Sequence, residues 1–319
     1  ASCLVNPRAC HETELRFEPA TRPRRIAVVG AGPAGLACAT VAAGRGHAVT
    51  LFEAGPAIGG QFNLARRIPG KEEFDETLRY YSARLEEAGV DLRLGARADP
   101  AALGGFDAVV LASGVVPRPA AFPGVDDPRV VGYADVLEGR VWCGPRVAIV
   151  GAGGIGFDVA AFLVHAGPSP TTDRDRWMRE WGIDPAFDAR GGLAAPRPEP
   201  PSREVWLLQR SPGRPGARLG RTTGWIHRAG LRAKSVRMLG GVTYLGMEPG
   251  GFRVALAGGE QVLPVDHVVV CAGQESCRDL LAPLQATGTE VHVVGGAHLA
   301  AEVDARRAID QASRLAAAL

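Results

Sequence analysis

The chain has six cysteines, at 3, 10, 38, 143, 271 and 277, and no two form a CxxC pair. A paired-dithiol redox centre is thereby excluded, and the scattered spacing suits a reducing compartment rather than a disulfide framework. Cys38, Cys143 and Cys271 stand among apolar residues and read as core thiols. No Ser-His-Asp arrangement and no metal-ligand spacing stands out, and the seven histidines are scattered. Lysine is nearly missing: it occurs only at 71 and 234, and the other basic residues are arginine. The net charge of +2 is evenly spread, so there is no basic stripe for nucleic acid and no polybasic patch for a membrane. Apolar runs fall far short of the roughly 20 residues that a spanning helix needs. The opening, ASCLVNPRACHE, has no apolar signal core and no initiator Met. We expect a cytoplasmic chain that is a piece of something longer or a processed product.

What is present is more telling. A length of 319 residues with 46% apolar composition suits about two domains with buried cores. GxGxxG occurs twice, as GAGPAG at 30–35 and GAGGIG at 151–156. Each copy directly follows an apolar run, RRIAVV and PRVAIV. One such turn is a weak signal; two, each at the end of an expected strand, describe a protein holding two dinucleotides.

The pattern around the first copy is strand, turn, helix and then the strand HAVTLFEA, a βαβ unit. Residues 71–88 carry apolar and aromatic residues at helical spacing and close at Gly89, and VDLRLG and FDAVVLASG supply further strands. After the second copy, residues 168–201 break the pattern with Pro, Gly and charge, and Trp177 and Trp181 lie on an expected short helix. This insertion precedes the strand EVWLLQR and reads as a docking surface, a lid or surface decoration. VDHVVVCAG mirrors FDAVVLASG, and the chain ends in a strand and an amphipathic helix. The expected fold is α/β, with two Rossmann-like dinucleotide-binding domains, the second inserted in the first, in the manner of the pyridine nucleotide-disulfide reductases. The expected boundaries are a connector over 1–23, a discontinuous FAD-binding domain over 24–118 plus 264–319, and an NADPH-binding domain over 119–263.

In the first motif Gly30 permits the tight turn, Gly32 removes a side chain where a pyrophosphate must approach, and Gly35 lets the helix pack on the strand. The helix N-terminus at Ala34 offers free N–H groups and partial positive charge. Glu53 ends the next strand, 18 positions after Gly35, where a carboxylate can accept both ribose hydroxyls of an adenosine. Gly60 and Gln61 are a further place for backbone to touch phosphate, and Gly114 and Gly296 lie in later Gly turns of the same domain. In the second motif Gly151, Gly153 and Gly156 repeat the three roles. There Gln209 and Arg210 stand where the acidic residue would be, and Arg binds the 2′-phosphate that a carboxylate repels. NADPH is therefore expected over NADH, with Arg214 and Arg218 as possible helpers.

The strings SCLVNPRACHE, IGGQFNLARRIPGKEEF, TLRYY, GGIGFDVA, REWGID, LGRTTGWIHR, VVCAGQE and DARRAI are more specific than a dinucleotide fingerprint. Through them nearly the whole chain resembles the C-terminal half of the bacterial NADPH-dependent 2,4-dienoyl-CoA reductases, iron–sulfur flavoenzymes of the trimethylamine dehydrogenase group. The resemblance implies an N-terminal (β/α)₈ barrel with FMN, the acyl-CoA substrate and the proton donor, so that no catalytic acid or substrate pocket is expected here. It implies a [4Fe–4S] cluster whose fourth ligand matches Cys3, with three cysteines upstream. A single thiolate cannot hold such a cluster. It implies hydride transfer from NADPH to FAD and single-electron passage to the cluster and FMN, so that this chain alone is a diaphorase. One departure is GGAHLA, where His298 stands in place of the family's acidic residue near the flavin's ribityl and phosphate linkage. Two alternatives remain open: a structural module holding ADP without redox chemistry, and a free-standing NADPH:acceptor reductase subunit.

Overall fold

A computed structural model describes residues 2–301 and 304–319. Fifteen strands are seen among them. In chain order they are β1 (Arg25–Val29), β2 (Ala48–Phe52), β3 (Asp91–Arg93), β4 (Ala108–Leu111), β5 (Val115–Pro117), β6 (Val130–Gly132), β7 (Arg146–Val150) and β8 (Glu204–Gln209). Then follow β9 (Arg237–Gly240), β10 (Thr243–Glu248), β11 (Gly251–Leu256), β12 (Gly259–Leu263), β13 (His267–Val270), β14 (Gln274–Ser276) and β15 (Val291–Val293). The helices are α1 (Pro33–Gly44), α2 (Phe62–Ala65), α3 (Phe74–Glu87), α4 (Pro100–Leu103), α5 (Tyr133–Leu137), α6 (Gly154–Val164), α7 (Arg174–Trp181), α8 (Gly224–Ala233), α9 (Leu281–Ala286) and α10 (Ala305–Ala318).

The chain divides into two compact units, one of residues 1–63, 73–116 and 274–319, the other of residues 64–72 and 117–273. The first holds a five-stranded parallel sheet in the order β15-β4-β1-β2-β3. Its middle strand is buried on both faces. Ile26 and Val28 enter one core with α1, α3 and α10, while Ala27 and Val29 enter another with Phe52, Leu103 and Leu284. An unbroken apolar run is what a strand covered on both sides requires. α1 is apolar all round and rich in alanine, so Ala37 shares a core with Ala308, Ala312 and Ala316 of α10. Residues 2–23 pack with this unit. Leu4 and Val5 pack on its core, and Arg45 donates to the Glu18 carbonyl at 2.8 Å.

The second unit has a parallel sheet in the order β6-β13-β7-β8-β9. Alternation splits β7 in the same way. Val147 and Ile149 face α5, α6 and α8, and Ala148 and Val150 face Phe252 and Val254 of the antiparallel sheet β10-β11-β12. The boundary expected at 264 is corrected here. Strand β13 pairs with β7 from His267↔Val147 to Val270↔Val150, so VDHVVVCAG lies in the second unit. Its likeness to FDAVVLASG has a physical origin, since each flanks the fingerprint strand of its own sheet. Residues 64–72 also join the second unit, a grouping the sequence does not announce. Within the insertion, α7 is capped by Asp173, which accepts from the Arg176 amide at 3.0 Å, and stopped by Gly182 at φ +69°. Lys234 at the end of α8 fastens it through Glu180 at 2.9 Å.

A histidine closes the start of β1. His47 Nδ1 accepts from the Arg24 amide at 3.1 Å, while the buried Nε2 has no hydrogen-bond partner. Desolvation, with Arg45 and Arg24 nearby, holds its pKa below the ordinary value. A depressed native pKa means that the unfolded chain binds the proton first, so this stability is present above about 6.5 and is lost as pH falls. His47→Asn, which keeps an acceptor for Arg24, should flatten the fall of Tm between about pH 7 and pH 5 in calorimetric scans. An unchanged slope would remove His47 as the cause.

Candidate functional site

The two fingerprints are built alike. Gly30 has φ +102° and Gly151 φ +112°, where an L side chain is strained. A β-carbon at Gly30 would lie 2.6 Å from the Ala112 carbonyl oxygen, and one at Gly151 would lie 2.3 Å from that of Cys271. Gly35 and Gly156 pack against their own turns, and a β-carbon there would fall 1.8 and 1.9 Å from the carbonyl oxygens of Gly30 and Gly151. The middle glycines differ. A β-carbon on Gly32 would come no nearer than 4.0 Å to Gly60, and one on Gly153 would meet nothing within 4 Å. Both have extended backbone that any residue adopts, φ −77° and −83°. Nothing in the fold requires glycine at either place, and the open space lies in front of a helix N-terminus.

Those N-termini carry free donors. The first backbone bond of α1 runs from Leu36 to Gly32, which leaves the Ala34 and Gly35 amides without intrahelical acceptors. Pro33 at the first turn has no N–H to offer. In α6 the first bond runs from Phe157 to Gly153, so Gly154, Ile155 and Gly156 are the corresponding three amides. Both cradles fit a pyrophosphate, with an N–H fan, a helix dipole and no obstructing side chain.

Glu53 comes to the first turn. Its Oε2 accepts from the Ala31 amide at 2.8 Å and Oε1 from the Gly55 amide at 2.7 Å. Gly59 ties the next loop to the turn through the Ala31 carbonyl at 2.8 Å, and a β-carbon on Gly60 would press on Gly32 Cα at 3.0 Å. Gln61 follows, half-buried. Gly114 and Gly296 come together: the β-carbon position of Gly296 is 3.2 Å from the Gly114 carbonyl carbon. His298 is exposed, its amide bonded to the Gly295 carbonyl and its own carbonyl accepting from Arg278. Cys3 is half-buried and lines a cleft with His11, Arg306 and Arg314. Among the described residues no group of three or more His, Cys, Asp or Glu could hold a metal ion.

At the second turn no carboxylate stands beside the glycines from β8. The Gln209 amide folds onto the Ser211 carbonyl at 3.0 Å, and Arg210 is exposed. The chain from 205 to 247 contains no Asp or Glu, and its loop after β8 carries Arg210, Arg214, Arg218 and Arg221. This loop is pinned. Arg228 of α8 donates to the Gly216 carbonyl at 2.7 Å, and Gly216 packs on Phe157 of α6. Desolvation, with smaller contributions from Arg214 and Arg232, pushes the Arg228 pKa down. The Arg228 Nε is buried without a partner.

A pair that sequence reasoning missed lies on the same helix. Asp158, one turn into α6, binds Lys71 Nζ at 2.6 Å. Lys71 stands in GKEEF and Asp158 in GGIGFDVA, so the unusual strings were the signal, but the pairing spans 87 positions. Lys71 cancels a carboxylate that would otherwise repel an anion at the α6 N-terminus. His227 is close to both: desolvation holds its pKa below the ordinary value, with Asp158 pulling the other way. Cys38 and Cys271 are thiols pushed up by burial, Cys38 to about 12, so neither is a thiolate nucleophile. Lys71→Met should raise the KM for a reduced nicotinamide nucleotide about fivefold, and adding Asp158→Asn should restore it. Steady-state assays of both variants test this, and failure of the second change to rescue would sink the electrostatic account.

Residues 24–305 match the sequence model of the pyridine nucleotide-disulphide oxidoreductases. The chain belongs to that family. This fold implies FAD and a nicotinamide nucleotide. A curated relative, the "Metal reductase" of Desulforamulus reducens, is 32% identical over 304 residues, covering 93% of this chain and 44% of that protein. A solved 2-naphthoyl-CoA reductase in complex with 2-naphthoyl-CoA matches with TM-score 0.82 and 25% identity, over 100% of this chain and 43% of that one. Histamine dehydrogenase from Rhizobium sp. 4-9 matches at TM-score 0.78 and 19% identity, over 100% of this chain and 45% of that one, which is a likeness of fold. The chain thus spans under half the length of these relatives. No helix among the described residues is long and apolar enough to cross a membrane.

Proposed function

We propose that this chain is the NADPH-to-FAD half of an iron–sulfur flavoenzyme of the dienoyl-CoA reductase type. The observation that carries the reading is the contrast between the two turns: a carboxylate on the first, and a pinned arginine loop without acid beside the second. FAD, when bound, accepts electrons in pairs and releases them singly, which a relay to a one-electron cluster needs.

The residues of this chain bind and orient. Ala34 and Gly35 amides receive the FAD pyrophosphate, with Gly32 leaving the approach clear. Glu53, whose oxygens keep spare lone pairs beside their amide partners, would accept from ribose hydroxyls, and Gly60, Gln61, Gly114 and Gly296 would border the flavin side. Gly153 clears the second cradle, Gly151 and Gly156 hold its turn and helix, and Gln209 and Arg210 receive the adenosine end of NADPH. Cys3 stands as the fourth ligand of a [4Fe–4S] cluster, the other ligands and an FMN barrel belonging to a longer protein. His298, exposed near the Gly295–Gly296 turn, stands where the resemblance places an acidic residue on the flavin side, so His298→Asp should retain FAD. Clear loss of flavin absorbance after gel filtration would show that the imidazole has a contact of its own. The dienoyl-CoA end of the reading rests on the strings quoted above and on the acyl-CoA named for the 2-naphthoyl-CoA reductase.

The test is to purify the chain, record its visible spectrum and titrate it with NADPH without oxygen. A yellow protein bleached by NADPH, and more readily than by NADH, is expected. A colourless protein, or one that holds ADP or resists bleaching, would overturn the reductase reading.

A further inference from the structure

The second unit contains a cavity of about 760 Å³ that the nucleotide reading does not use. It lies at the N-terminal ends of β7 and β8, where Gly144 and Pro145 precede one strand and Ser202 and Arg203 the other. The fingerprint glycines are at the opposite end of β7, five residues away, or roughly 16 Å at about 3.3 Å per residue. A nucleotide on α6 therefore leaves this cavity open. Its size falls in the range of about 300–1,000 Å³ typical of small-molecule sites.

The lining is chemically one-sided. Arg67 and Arg203 line the cavity with a single carboxylate, Glu72, and Arg67 donates to the Leu137 carbonyl at 3.1 Å. That carboxylate is already engaged by the Gly70 amide at 3.1 Å and the Thr171 hydroxyl at 3.0 Å. Arg203 is held by the carbonyls of Cys143 and Leu163, both at 3.2 Å, and its guanidinium lies 4.9 Å over the Trp142 ring. The indole is 85% exposed, so this large aromatic presents itself to the cavity mouth with a cation stacked against it. Phe162 and Leu163 of α6 supply an apolar wall.

We infer that this cavity is a second ligand site, taking an amphiphilic organic anion with a flat or acyl apolar body and one carboxylate or phosphate head. The body lies on Trp142 and the Phe162 wall. The head meets the arginines, whose planar forks suit either oxyanion. The proposal does not depend on the identity of the nucleotides.

The experiment uses this chain and four probes: naphthalene-2-carboxylate, 2-naphthyl phosphate, decanoate and the neutral naphthalene-2-methanol. Binding is read by calorimetry and by tryptophan emission, with and without saturating NADPH. The anions should bind with Kd on the order of 10 µM, the neutral alcohol at least about tenfold more weakly, and NADPH should not displace them. Preference between the carboxylate and the phosphate identifies the natural head group. Trp142→Ala, at an exposed position that the fold does not need, and Arg67→Gln should each weaken binding about tenfold at unchanged Tm. Equal affinity for the neutral probe, displacement by NADPH, or indifference to both variants would each overturn the site.

Discussion

Gly153→Val should raise the KM for the nicotinamide nucleotide about 100-fold or more while leaving Tm unchanged. The backbone at 153 suits any residue, and its β-carbon points into space that no protein atom occupies within 4 Å. The added side chain would stand in front of the Gly154, Ile155 and Gly156 amides, where the pyrophosphate must come. Gly151→Val, two positions earlier, should behave in the opposite order. It forces a branched residue to φ +112° against the Cys271 carbonyl, so the fold itself loses about 3 kcal/mol. Thermal scans and nucleotide titrations of the two variants make the comparison. A Gly153 variant as unstable as the Gly151 one would show that the empty space belongs to packing and not to a ligand.

Arg210→Glu should lower kcat/KM for NADPH about 100-fold and leave NADH unaffected or improved. The loop after β8 has no acidic residue to satisfy its arginines, and Arg228 beneath it is pushed down by desolvation and like charge. A 2′-phosphate would supply a counter-charge to this loop, and a carboxylate at 210 would repel it. Arg214→Glu should add to the effect, because both side chains leave the same short loop. The measurement is the rate of dye reduction with each nucleotide. Equal loss for NADPH and NADH would mean that Arg210 supports the loop rather than reading the phosphate.

These two predictions lean on opposite kinds of information. The glycine spacing and the apolar runs before it are local. A strand, a turn and a helix within some 20 residues must juxtapose Gly30 with Gly35 and Gly151 with Gly156, and their close contacts follow. Glu53 was legible for the same reason, since a βαβ unit brings the end of its second strand beside its first turn. Arg210 was placed by that rule too, but its acid-free surroundings became a pinned cationic loop only when Gly216 met Phe157 and Arg228 reached across from α8.

The sequence by itself determined that the chain is an α/β protein with two dinucleotide turns, because backbone sterics and hydrophobic period act over a few residues. Only the tertiary structure decided where the strand VDHVVVCAG belongs. Two near-identical apolar runs can each join either sheet by pattern alone, and the choice is made by the register that pairs His267 with Val147. It also decided the partner of Lys71 and the cavity beneath Trp142. Both join segments far apart in sequence, and no periodicity or motif encodes a contact whose only cause is the packing of one element on another.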